Sequence, residues 1–200
     1  MDILYVISSD GLDDRCFQRF SACLGSLSRQ TVADTVRACI ADYSTESALP
    51  KLSIPGSLKW DYFHTPLDAP FNKPFCINHG YKRFGCGAQR LFFFSDIDLV
   101  YPESFIERLV GRYGAVDPMV CATALQFYQQ PEFEEYTSDY ARARSTIHDD
   151  IRYEGGCLMI STALFEHLRG FDERYFGWGG EDDDFFMRAG RAGMFVVDES

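Results

Sequence analysis

The sequence predicts an α/β fold with a largely parallel central sheet. Two observations carry this. Short apolar runs alternate with helix-period segments along most of the chain, the rhythm of strand–helix–strand units. One run, RLFFFS at 90–95, is apolar almost throughout, as a strand covered on both faces should be.

The elements follow in order. ILYVIS (3–8) is a first strand, and SDGLDD after it supplies turn and N-cap residues. From Asp14, Cys16, Phe17, Phe20, Cys23, Leu24 and Leu27 recur at helical spacing. VRACIAD (36–42) is a second buried strand running into polar YSTES, and KWDYFH (59–64) a third. NKPFCINHGYKRFG (72–85) is helical with Pro74 in its first turn and a glycine stop. After the central strand, PESFIERLVGRYG (102–114) is a capped helix and MVCATALQFY (119–128) another strand. The stretch 129–156 is long, polar and without clear period, which predicts a mobile or functional loop. CLMIS (157–161) is a strand, TALFEHLRG a short helix, Glu181 to about Ala192 a further helix, and MFVVDES a strand.

Two hundred residues predict a single domain spanning 1–200, and the abrupt end suggests a segment truncated at its C-terminus or cut from a longer chain. Net charge −11 argues against a nucleic-acid partner, which needs a positive field. Seven cysteines without a C-x-x-C pair predict reduced, buried thiols in a cytoplasmic setting, bacterial or viral rather than Golgi lumenal. No segment approaches the roughly 18 apolar residues of a membrane span, and the start lacks the basic region of a signal peptide.

Two carboxylate motifs stand out. FFFSDIDLVYP places Asp96 and Asp98 at the carboxyl end of the central strand, the edge where open α/β sheets bind ligands. On extended backbone the two side chains point the same way, and their oxygens suit a hard cation, Mn²⁺ or Mg²⁺, shared with substrate phosphates. The bland alternative is a polar loop capping a strand. GWGGEDDDFF (177–186) crowds four acids beside Trp178 at a helix start. Acids there offset the helix dipole, which accounts for Asp183 and Asp184. A metal-diphosphate site next to a carboxylate and a flat aromatic face suits sugar transfer from a nucleotide donor. One acid takes the proton of the attacking hydroxyl, and Trp178 packs on a sugar ring.

The order FNK, SDIDL, YEGG, FGWGGEDDDFFMRAGRAGM resembles the GT-A glycosyltransferases, in particular the inverting β-1,4-galactosyltransferase and chondroitin-polymerase type. CLGSLSRQ is more weakly similar to the first helix of family-2 enzymes. The resemblance implies a UDP-sugar donor, a carbohydrate acceptor and a divalent cation. It implies that Asp98 is a metal ligand and that Asp96 contacts ribose and assists the metal. Phe71 and Lys73 would line the nucleotide pocket, with lysine where the family has arginine. Tyr153, Gly155 and Gly156 would lie under the donor sugar, and Asp42 would touch uracil. Trp178 would stand between donor and acceptor, Glu181 would bind acceptor and Asp182 would be the general base. The family's further histidine ligand has no counterpart among His64, His79, His148 and His167. His148 in the polar loop, with Asp149 and Asp150 beside it, is expected to be solvated, and the cysteines to be core packing. Other readings stay open: a non-catalytic UDP-sugar-binding module, a retaining glycosyltransferase, or a glycoside hydrolase, which also needs two carboxylates.

Overall fold

A computed structural model describes residues 1–8, 12–67, 69–115, 119–122, 124–127, 147–153, 156–177, 179–193 and 195–198, with 121–122, 124–127, 147–153 and 195–198 described by backbone alone. The strands are β1 (Asp2–Ile7), β2 (Arg37–Asp42), β3 (Lys59–His64), β4 (Leu91–Ser95), β5 (Met119–Ala122), β6 (Ala124–Phe127), β7 (Ile147–Tyr153), β8 (Cys157–Ser161) and β9 (Phe195–Asp198). The helices are α1 (Asp14–Ser28), α2 (Lys73–Phe84), α3 (Phe105–Tyr113), α4 (Thr162–His167) and α5 (Glu181–Arg191).

Seven strands form one sheet in the order β3-β2-β1-β4-β8-β5-β9. The pairs β1–β2, β2–β3, β1–β4 and β5–β9 are parallel, and β8 alone runs against its neighbours β4 and β5. The largely parallel α/β architecture expected from the sequence is present. β4 sits centrally, and its carboxyl end delivers Asp96 and Asp98 to the same sheet edge as the end of β2.

Alternation along the strands divides the core between the two faces. Ile3, Tyr5, Ile7 and Phe93 face α1 and α3, packing on Phe20, Leu24, Leu27, Ile106 and Leu109. Leu4, Phe92 and Phe94 face the other way, onto Ile77, Phe165 and Phe185. Each such side chain, fully buried, stabilises the fold by about 1.5–3 kcal/mol before chain entropy is counted.

Local signals fix the helix ends. Asp13 caps α1 by accepting from the Cys16 backbone N–H at 3.0 Å. Asn72 caps α2 through Phe75 N–H at 2.8 Å, Pro74 lies in the first turn, and Gly85 closes the helix at φ 67°.

Two expectations need correction. The apolar stretch 119–128 is two strands rather than one, β5 in the main sheet and β6 leaving it. The polar stretch 129–156 is not loop throughout: Ile147–Tyr153 is a strand pairing antiparallel with β6. A two-stranded ribbon needs no buried face along its whole length, so its sequence carries no strict period to read. Residues 128–146 lie outside the described residues, and with them the loop expectation for that span.

Candidate functional site

The site is built where β4, the start of α2 and the start of α5 meet. Its floor is aromatic. Phe94 on β4 lies beneath Phe171 (centroids 6.1 Å apart), and Phe171 stacks on the buried Phe185 of α5 at 4.2 Å and 9°. This stack fixes the first turns of α5 against the end of β4.

The chain reaches α5 through a tight hook. Gly177, Gly179 and Gly180 have φ of 82°, 96° and 88°. L-side chains rarely tolerate this left-handed region, so the glycines of GWGG are required by backbone shape. At Gly180 a Cβ would also lie 3.2 Å from Tyr175 Cε1. The hook turns the chain directly into Glu181 and Asp182 in the first turn of α5.

Lys73, the first residue of α2, gathers the carboxylates. Its Nζ lies 3.2 Å from Asp96 Oδ1, 3.5 Å from Asp182 Oδ2 and 3.6 Å from Glu181 Oε1. It also stands 5.3 Å above the Phe94 ring, a cation–π contact. Side-chain exposure is 17% for Lys73, 6% for Glu181, 26% for Asp182 and 39% for Asp96, a partly dry site open at one side. One ammonium therefore links the strand-end motif to the helix-start motif, 85 residues apart. Asp98 is exposed at the mouth beside Asp96.

The electrostatics follow from this crowding. Burial pushes Asp182 up to about 6; Glu181 and Asp96 push it further, and Lys73 opposes them. The helix N-terminus favours the ionised form of this acid, but desolvation outweighs it. Asp96 is raised by burial, with Asp98 and Glu181 adding and Lys73 opposing. Burial lowers Lys73, but Asp96, Asp182 and Glu181 raise it on balance.

The other two acids of the cluster part company with this group. Asp184 takes Arg188 Nε at 2.8 Å, one turn along α5. Arg188 Nη1 donates in turn to the carbonyls of Leu168 (2.6 Å) and Gly170 (2.9 Å). Asp183 faces solvent. A helix fans successive residues by about 100°, so four neighbouring acids cannot share one face.

Of the remaining expected residues, Gly156 abuts the site: its carbonyl accepts from Asp96 N–H at 2.8 Å. Phe71 packs, part-buried, against the core on the α2 side. Asp42 needs correction as a nucleobase contact. It is wholly buried, and its oxygens accept from Ser44 N–H (2.9 Å), Ser44 Oγ (2.5 Å), Ala48 N–H (2.7 Å) and Tyr62 OH (2.5 Å). With its lone pairs turned inward, it shapes the loop after β2 rather than presenting an edge to a ligand. Gly155, Trp178 and the Tyr153 side chain lie outside the described residues.

Two positioning residues escaped the sequence reading. Buried Asn78 donates to Phe171 O (2.8 Å) and Glu173 Oε1 (3.0 Å) and accepts from Phe171 N–H (3.0 Å). Asn72 Nδ2 donates to Glu173 O at 2.8 Å. Together they tie α2 to the segment leading into the glycine hook. The available signal was an amide at 78 following apolar Cys76 and Ile77, since a buried amide must find partners.

The donor set at the strand end fits a hard divalent cation. Asp96 and Asp98 offer only oxygen, Asp98 is exposed, and among the described residues it is Lys73 that answers the acidity around Asp96.

Comparison with known proteins agrees with the geometry. Residues 141–198 match the family model described as the N-terminal domain of galactosyltransferase. β-1,4-Galactosyltransferase 1 of Mus musculus is 28% identical over 135 residues, 64% of this chain and 28% of that protein. β-1,4-Galactosyltransferase 7 of Drosophila melanogaster is 38% identical over 54 residues, 26% of this chain and 17% of that one. The chain thus spans less than a third of the curated relatives it matches. Among solved structures, the catalytic domain of the Drosophila β-1,4-galactosyltransferase 7 with xylobiose aligns at TM-score 0.57 and 18% identity, covering 98% of this chain and 63% of that one. The mannosyltransferase PcManGT of Pyrobaculum calidifontis, in complex with GDP-Man and Mn²⁺, aligns at 0.62 and 13% identity, covering 100% and 54%. S. aureus TarS 1-349 with UDP-GlcNAc aligns at 0.64 and 14% identity, covering 100% and 56%. The fold is that of the glycosyltransferases in these solved structures, and residues 141–198 are similar to the galactosyltransferase family.

Proposed function

We propose that this GT-A chain is an inverting glycosyltransferase that moves a hexose from a UDP-sugar to a hydroxyl of a carbohydrate acceptor, with a divalent cation, Mn²⁺ or Mg²⁺, at the strand end. The single observation that carries the reading is Lys73, which holds Asp96 of the strand-end motif and Glu181 and Asp182 of the helix-start motif around one ammonium. Donor-side and acceptor-side groups thereby occupy one cleft edge, as a single displacement requires. A solved complex of a variant of the Drosophila β-1,4-galactosyltransferase 7 with manganese, UDP-Gal and xylobiose, whose chain has the same fold, supports the choice of ligands.

Asp182 is the base. A carboxylate poised at about 6 is ionised at neutral pH and still basic enough to take a proton from a sugar hydroxyl as its oxygen attacks the anomeric carbon. Glu181, nearly buried beside it, orients the acceptor by accepting a second hydroxyl. Trp178 covers the sugar ring, and Tyr153, Gly155 and Gly156 lie under the donor hexose. Lys73 faces the diphosphate, Phe71 borders the nucleotide, and Asp42 shapes the loop beneath it. Asp98 and Asp96 would hold the cation, whose chemistry is to offset the charge gathering on the departing diphosphate.

The test is Asp182→Asn. It should lower transfer by about 10² to 10⁴ while UDP-sugar affinity, measured by calorimetry with Mn²⁺, stays near the parent value. Transfer at near the parent rate would place the base elsewhere.

A further inference from the structure

Away from the carboxylate cleft, a second group of ligating atoms converges beneath the opposite end of α2. A carboxylate oxygen of Asp2, at the start of β1, and the sulfurs of Cys39 on β2 and Cys86 in the 3-10 turn after α2 all lie within 4.8 Å of one another. All three residues are buried. The strand register explains the meeting. Asp2 pairs with Arg37 and Leu4 with Cys39, so these four side chains share the sheet face that α2 covers, and the turn following Gly85 drops Cys86 onto it.

The surroundings are those of a ligand set. Arg37 holds both oxygens of Asp2, Nε to Oδ1 at 2.9 Å and Nη2 to Oδ2 at 2.5 Å, and its Nη1 reaches Asp61 at 2.7 Å. Each carboxylate oxygen keeps a second lone pair for another partner, and a carboxylate oriented by an outer hydrogen bond is how ligating carboxylates are commonly held. Two sulfurs and one oxygen favour a thiophilic ion over Mg²⁺ or Mn²⁺. Around a tetrahedral Zn²⁺, with bonds of about 2.0–2.3 Å, ligand atoms stand roughly 3.5–3.8 Å apart. The observed spacing reaches this by a contraction of about an ångström. The charges also close: the two positive charges of the ion and one of Arg37 balance two thiolates and Asp2.

We propose that Asp2, Cys39 and Cys86 form a structural site for a thiophilic divalent cation of the zinc class, with water in the fourth position. The ion pins the first strand and the second strand to the C-terminal end of α2, the helix whose first residue is Lys73. Two thiol protons leave as the ion binds and the thiolates become ligands. Because the three residues are buried, the ion enters during folding.

The probe is Co²⁺ alone, supplied to the reduced, unfolded chain during refolding. Thiolate ligands give Co²⁺ a charge-transfer absorption in the near ultraviolet that an all-oxygen site such as Asp96–Asp98 cannot give. One equivalent of Co²⁺ with this band is expected, unchanged in Asp98→Ala and in Cys76→Ser. Cys86→Ser should weaken Co²⁺ binding at least about tenfold and halve the band, and Cys39→Ala should do the same. Should both variants fail to fold, the parent protein still decides the matter. Native mass spectrometry after expression with added zinc should show one ion retained by Asp98→Ala. No band and no retained ion in the parent would overturn the site, as would a band that survives loss of Cys39 or Cys86. A metal-free chain two hydrogens lighter, linked Cys39 to Cys86, would overturn it in favour of a disulfide. The glycosyltransferase reading is untouched by any of these outcomes, since none involves the carboxylate cleft.

Discussion

Replacing Lys73 by methionine removes the cation that, among the described residues, stands at the centre of the carboxylate group, while keeping the length and packing of its stem over Phe94. The ammonium lies 3.2 to 3.6 Å from three carboxylate oxygens. At an effective dielectric of about 20, one unit pair at roughly 3.5 Å interacts by about 5 kcal/mol before desolvation is charged against it. An opposite charge this close typically lowers a carboxylate pKa by about 1 to 3 units. Asp182 stands at about 6 with Lys73 in place, so without it the midpoint moves to roughly 7 to 9. The base works only when ionised. The parent rate should therefore fall as pH drops through about 6, and Lys73→Met should carry that acid limb upward by at least about one unit. The assay is the initial rate of transfer from a UDP-sugar to a suitable acceptor between about pH 5 and pH 9, at saturating Mn²⁺ and donor. Lys73→Arg, which keeps the charge, should leave the limb near the parent position. If the methionine variant shows the parent's acid limb, lowered only in height, Lys73 does not govern the ionisation of the base and the reasoning fails.

Three further outcomes are expected. Asp98→Ala should abolish the dependence of UDP binding on Mn²⁺, whereas Asp183→Ala, which alters a solvent-facing acid, should leave it nearly intact; calorimetry with and without the metal separates them. Asn78→Leu strips Phe171 N–H and O of their partners inside a buried contact, so it should destabilise the fold by about 2 to 5 kcal/mol in urea unfolding; a loss under about 1 kcal/mol would show that the amide ties are dispensable. Metal-free protein should show a stability term from Asp182 that is full below about pH 4 and lost as pH rises through about 6, because the folded state holds this proton more tightly than the unfolded one. Asp182→Asn should remove that term, raising stability relative to the parent at pH 7 more than at pH 4, and equal differences at both pH values would contradict it.

Much of the fold was legible because periodicity and caps report local structure. The stretch KWDYFH is β3 over the same six residues, and the Pro74 and Gly85 signals bracket α2. The β6–β7 ribbon was not legible, since pairing across a long connection leaves no mark in a polar sequence. At the site, sequence supplied the residue types and the structure supplied their partners. Nothing in EDDD says that Asp184 belongs to Arg188 while Asp182 belongs to Lys73; helix geometry makes that division. Likewise ADYST offers an aspartate at a strand end, and only the neighbouring Ser44, Ala48 and Tyr62 reveal that it faces inward. The lift on Asp182 is not legible in the sequence for a related reason. The helix dipole is visible in sequence, but desolvation depends on what packs above the carboxylate, and here it wins.

The charge balance of the cleft is the physical argument for the proposed metal. Asp96, Glu181 and Asp182 face one ammonium and Asp98 stands beside Asp96, so four carboxylates and Lys73 leave three formal negative charges when all are ionised. A nucleoside diphosphate brings more negative charge to the same sheet edge. Repulsion of that size is tolerated only if protons or a cation enter with the donor. Protonation is the wrong remedy for the proposed reaction, because the most readily protonated acid includes the base itself, raised to about 6. A divalent ion held by Asp98 and Asp96 would relieve the repulsion at the exposed side of the cleft and would leave Asp182 free of a proton. Lys73 alone, with one charge spread over three carboxylates, is enough to assemble the site and too little to accept the donor.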